Sequence, residues 1–86
     1  KRKKRIETIL NSSFSNFQIK VSDSSSQHKG HNNFDGNQES HFLIVLKSPN
    51  KLNESKIVIH RKINDLLRKE FQTGLHALEI KIISGF

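Results

Sequence analysis

No cysteine occurs among the 86 residues, and there is no methionine, tryptophan or tyrosine. Without thiols the chain builds no disulfide scaffold and performs no thiol catalysis, and an iron–sulfur cluster bound through sulfur must take that sulfur from a partner. Without Trp or Tyr, and with most of the six Phe at core-patterned positions, platforms for stacking nucleic-acid bases are scarce. No apolar run approaches the roughly 20 residues of a membrane span, and no signal-peptide core is present, so a soluble chain with no membrane partner is expected. Reactive signatures are missing as well. There is no Gly-x-Ser-x-Gly elbow, phosphate loop or His-Glu-x-x-His helix, which points away from an enzyme.

What remains is sufficient for one small domain spanning residues 1–86. Hydrophobic residues make up only 33% of the chain, but they fall in periodic blocks, which argues against global disorder. The formal net charge is +7, and Lys1-Arg2-Lys3-Lys4-Arg5 supplies most of the excess. Such a run suits phosphate, acidic protein or an anionic surface, but it also suits a solvated terminus, and residues 1–4 are expected to form a mobile basic tail. The first residue is not methionine. The expected location is cytoplasmic, or mitochondrial if an upstream targeting segment has been removed.

Ile6, Ile9, Leu10 and Phe14 recur at helical spacing and predict a helix over residues 2–13, with basic residues crowding the end where the helix dipole disfavours them. Phe17, Ile19 and Val21 alternate with polar residues, the period of a strand with one wet face. Residues 22–40 are dominated by Ser, Asn, Gly, Gln and His and are expected to be a long flexible loop. Phe42 to Leu46 is continuously apolar, which suits a central strand covered on both faces and ended by Ser48-Pro49-Asn50. Ser55 is placed to cap the next helix, whose buried arc is Ile59, Ile63, Leu66, Leu67 and Phe71 and whose opposite side carries Arg61, Lys62, Asp65, Arg68 and Lys69. Thr73-Gly74 should stop it. Leu78, Ile80 and Ile82 then alternate as a third strand, parallel to the second through a right-handed crossover. The expected fold is α+β, with αββαβ order and a three-stranded mixed sheet carrying its helices on one face, the architecture of KH-like domains.

Five histidines are the richest chemical feature: His28 and His31 in the polar loop, His41 opening the apolar strand, His60 in the second helix and His76 just after a glycine. Imidazole is a borderline-soft ligand, so histidines from separate elements can hold a transition metal or an iron–sulfur cluster. The absence of cysteine then points to a site shared between two chains. His41 and His60 are read as structural, His41 with its ring bonded to neighbouring backbone and His60 packed at the core edge.

Several ordered segments carry a resemblance: Arg5-Ile6-Glu7, Val21-Ser22-Asp23 with Ser25, His28-Lys29-Gly30-His31, Glu39-Ser40-His41-Phe42, His60-Arg61, and Gly74-Leu75-His76-Ala77-Leu78. In this order and spacing the chain resembles the BolA-like family from about residue 5 to residue 82. The resemblance implies a KH-like fold of the class II type and a partnership with monothiol glutaredoxins. In such pairs a [2Fe-2S] cluster is shared with the glutaredoxin and glutathione, and none is bound by the isolated chain, which is expected to be a monomer. It also implies the ligands: His76 at the family's C-terminal histidine, and His28 at the variable loop position, with His31 able to substitute.

The chain departs from the family pattern in four places. Ser24 follows Asp23 where glutamate is usual, and Asn53 stands where glycine is common. Ile59 replaces the first arginine of the usual Arg-His-Arg, and the tryptophan near the end of many relatives is absent. The alternative function is a KH-like nucleic-acid-binding regulator of transcription, with Arg61, Lys62, Arg68 and Lys69 as contacts. No Gly-x-x-Gly loop of the kind that grips backbone in KH domains occurs, so only weak, salt-sensitive binding is expected on that reading.

Overall fold

A computed structural model describes residues 1–25 and 40–85. The chain runs α1 (Arg2–Ser13), β1 (Gln18–Asp23), β2 (His41–Ser48), α2 (Lys56–Leu66), α3 (Arg68–Gln72) and β3 (Ala77–Ser84). The strands form one sheet in the order β1-β2-β3, with β1 antiparallel and β3 parallel to the central β2. This is the expected α+β fold with a mixed three-stranded sheet.

Register explains where the core lies. Val21 stands opposite Ile44 and Ile44 opposite Ile80, while Ile19, Leu46 and Ile82 form the next row. These rows face the helices, where Ile6, Leu10 and Phe14 of α1 and Ile59 and Ile63 of α2 join Leu67 and Leu75 in a single cluster. The intervening residues of β2 point the other way. Leu43 and Val45 are half-buried there, beside exposed Lys20, Glu79 and Lys81, so β2 is not covered on both faces. Its continuous apolar run reflects a central strand paired on both sides, whose second face is half-buried among the described residues.

Helix ends follow local chemistry. Ser55 caps α2, its Oγ accepting from the Val58 amide at 3.3 Å. The single long helix expected to follow is interrupted at Leu67, whose φ −98° and ψ 14° lie outside the helical region. The turn of the axis shifts the buried arc. Leu67 and Glu70 face inward, whereas Leu66 and Phe71, expected in the core, are 38% and 36% exposed.

The N-terminal segment also differs from expectation. Residues 2–4 belong to α1, and Arg2 is buried, with its Nε 2.9 Å from Glu70 Oε1. A guanidinium so placed is a structural cation rather than part of a mobile tail. The polar stretch also begins later than expected, since Ser22 and Asp23 complete β1 and Ser25 is fully buried.

Candidate functional site

Parallel pairing of β2 and β3 brings their first residues to one edge of the sheet, with His41 in register with Ala77. His76 immediately precedes that pair, and the two imidazoles lie nearly parallel, with centroids 6.1 Å apart and planes 11° from each other. His76 is exposed and His41 half-buried.

Ser40 organises both. Its carbonyl accepts from the His76 amide at 2.7 Å and the Ala77 amide at 3.2 Å. Its Oγ lies 2.8 Å from His41 Nδ1, so a neighbouring hydroxyl holds the ring. Ser25 supports Ser40 in turn: the Ser25 Oγ accepts from the amides of Ser40 at 2.9 Å and His41 at 3.1 Å. A serine buried at 0% exposure is thus fully engaged at the base of the segment whose two flanks are Ser25 and Ser40. His28 and His31 lie in that segment, outside the described residues.

A second set of contacts fixes the turn that presents His76. Arg2 Nη2 donates to the Thr73 carbonyl at 2.8 Å, and the Leu75 amide donates to the Glu70 carbonyl at 2.9 Å. Gly74 has φ +126°, and a Cβ there would sit 3.3 Å from the Arg2 guanidinium nitrogens. Glu70 accepts from Arg2 and from both Nε and Nη2 of Arg5. Hydrogen bonds from Arg5 hold its carboxyl below the ordinary glutamate range, against the upward push of burial, and Arg2 adds to the effect. This arrangement answers the basic start of α1, because the misplaced cations meet an acid supplied by α3.

The remaining sequence candidates lie elsewhere. His60 is half-buried on α2, its carbonyl accepting from Asn64, and Arg61, Lys62, Arg68 and Lys69 are exposed on α2 and α3. Lys62 pairs with Glu54 at 2.7 Å and Arg68 with Asp65 at 2.8 Å, whereas Arg61 and Lys69 have no ion-pair partner among the described residues. A cleft of about 590 Å³ opens between Phe14, Phe17, Leu52, Ile59 and Leu66, near the C-terminal end of β2 and away from the histidines.

The proximity of His41 to His76 is the feature that sequence reasoning missed. The signal was available: two histidines at the starts of strands joined by a crossover must lie at the same sheet edge once those strands are parallel. Among the described residues no three His, Asp or Glu gather as a metal site.

Comparison with known proteins agrees with the fold. The BolA-like protein family model matches residues 10–85. An uncharacterised protein of Sinorhizobium sp., encoded in a cobS 5′ region, is 40% identical over 77 residues, covering 88% of this chain and 83% of that protein. Protein BOLA1, chloroplastic, of Arabidopsis thaliana is 33% identical over 81 residues, covering 92% of this chain and 51% of the relative, so the chain spans about half its length. The solved BolA domain of SufE1 from Arabidopsis thaliana superposes with a TM-score of 0.79 at 35% identity, covering 96% of this chain and 91% of that one.

Proposed function

The chain belongs to the BolA-like family, and from that membership, which supports an iron–sulfur-related role, we propose that it is a non-enzymatic partner of a monothiol glutaredoxin in iron–sulfur cluster trafficking, assembly or iron regulation. His76 and His28 contribute imidazole ligands to a [2Fe-2S] cluster whose sulfur ligands come from the glutaredoxin and from glutathione, with His31 able to take the place of His28. The observation that carries the reading is the presentation of His76: an exposed imidazole whose own amide is tied to Ser40 at 2.7 Å. A ligand must be held firmly at its root and still reach a partner.

Replacing thiolate by imidazole raises a cluster's reduction potential and makes its ligation sensitive to protonation near neutrality, which suits transfer rather than storage. In this pairing the chain itself binds and orients, and it supplies no reacting group. A cytoplasmic location is the reading we adopt, with the mitochondrion as the alternative, since two plant relatives carry organelle names, one chloroplastic and one chloroplastic/mitochondrial.

The test mixes the chain with a cluster-loaded monothiol glutaredoxin and glutathione under anaerobic conditions. A heterodimer with altered visible absorption and circular dichroism is expected, and His76→Ala should abolish the new spectrum. An unchanged spectrum in that variant overturns the ligand assignment.

A further inference from the structure

A sheet of three strands has two open edges, and β3 forms one of them, since among the described residues it pairs with β2 alone. In a strand the N–H and C=O of one residue share a side, and those of the next residue point the other way. The Ala77 amide donates to the Ser40 carbonyl and the Gly85 amide to the Ser48 carbonyl, so the odd-numbered residues of β3 bond β2. Leu78, Ile80, Ile82 and Ser84 therefore direct their backbone groups to the free edge. Side chains are uncovered there as well. Leu78 and Ile80 face the helices yet are only half-buried, whereas Ile44, in register with Ile80, is fully buried, so the helices stop short of this edge.

Charge guards such an edge, but here it selects a register rather than forbidding every one. Antiparallel pairing of two copies of β3 sets outward residues opposite outward residues, so the two-fold axis falls on a residue of the strand. An axis at Glu79 sets that carboxylate against its own copy, and an axis at Lys81 opposes two ammonium groups. Centred on Ile80, the same pairing sets Glu79 of each copy opposite Lys81 of the other. These become non-hydrogen-bonded pairs, with Cα atoms about 4.5 Å apart and side chains at their closest. Within one strand Lys81 Nζ already lies 4.0 Å from Glu79 Oε2, so two copies close a ring of four alternating charges. Apolar residues match in the same register. Ile80 meets Ile80 and Leu78 meets Ile82 on the helix face, while Ala77 meets Ile83, itself 40% exposed, on the open face. The β1 edge offers no such match, because Lys20 and Asp23 differ in parity and cannot oppose each other in a symmetric pairing.

We propose that a second copy of this chain docks on the β3 edge through antiparallel pairing centred on Ile80, which joins two three-stranded sheets into one continuous sheet. Contact through one strand from each copy buries less than the roughly 1,000 Å² of a stable interface, so the dimer forms at high concentration and the monomer is its dissociated form. The pairing needs neither a metal nor a glutaredoxin. A heterodimer that fails to form leaves it standing, and its own failure leaves the glutaredoxin reading intact.

The isolated full chain is followed by sedimentation velocity and amide hydrogen exchange from about 10 μM to about 1 mM, a span that brackets weak association. A monomer–dimer equilibrium should emerge, and the outward amides of Leu78, Ile80 and Ile82 should exchange severalfold more slowly as concentration rises. Mixed isotope labelling should reveal a contact between the α protons of Glu79 in one copy and Lys81 in the other. Lys81→Glu and Glu79→Lys should each weaken self-association by roughly tenfold, because each turns both attractive pairs repulsive. An equimolar mixture of those two variants, and the double exchange Glu79→Lys/Lys81→Glu, should recover the wild-type association. Protection in the wild-type chain is read without any substitution, so a variant that fails to fold does not blunt the test. A chain still monomeric at the highest concentration, protection rising elsewhere, or a mixture that associates no better than either variant alone overturns the pairing.

Discussion

Glu70 carries more of the fold than a single carboxylate usually does, because two arginines from α1 converge on it. Its side chain is 8% exposed and that of Arg2 is 9% exposed, so substituting one partner strands charge in a poorly solvated place. Glu70→Ala should lower unfolding free energy by about 2–4 kcal/mol in urea denaturation, the Arg5 share being reduced by that residue's exposure. The acid limb of stability follows from the depressed carboxyl. Its contribution is present above the ordinary glutamate range and is lost as pH falls through the lowered folded value. Glu70→Gln should therefore be less stable than the parent at neutral pH, and the two stability curves should converge as pH falls through the lowered carboxyl value. Gly74→Ala should cost roughly 1–2 kcal/mol, through its positive φ and through crowding of the Arg2 guanidinium, as measured in the same assay. Sequence reading located Gly74 as a stop, because the glycine signal is local. It had no access to the Arg2–Glu70 contact, since a charge run pairs with an acid 68 positions away only after the helices have packed.

At the level of elements, helix and strand types followed from periodicity alone, and α1 was found with its bounds correct. What periodicity could not supply was the interruption at Leu67. No proline or glycine marks it, and beyond it Glu70 faces α1 and pairs with Arg2. The two leucine-rich positions and the phenylalanine therefore separate energetically. Leu67→Ala should cost about 2–5 kcal/mol, whereas Phe71→Ala should cost less than about 1.5 kcal/mol, a contrast that thermal and chemical unfolding would both resolve. Ser55→Ala should remove about 1 kcal/mol by uncapping α2. The site was legible in the same uneven way. His76 was singled out, but its closeness to His41 at the adjoining strand start was not read, because the two are far apart in sequence and meet through the parallel ladder.

For the whole molecule, most of the net charge of +7 comes from the basic start of α1, and further exposed cations lie on α2, α3 and the open sheet face. Distributed cations attract polyanions without reading them. Binding to duplex DNA should be weak, indifferent to base sequence and steeply weakened by salt, as gel-shift or anisotropy titrations across ionic strengths would show; sequence preference persisting near physiological salt would argue for the regulatory alternative. No helix among the described residues is long and apolar enough to cross a membrane.

The clasp between Ser25 and Ser40 has an implication for how the chain can vary. Because the stretch 26–39 is spliced in between two residues already bonded to each other, the sheet senses the closure and scarcely the number of residues within it. Doubling such an insert costs only about 0.6 kcal/mol in closure entropy. Grafts, deletions or tags introduced between those serines should therefore be absorbed without unseating the imidazoles beside them.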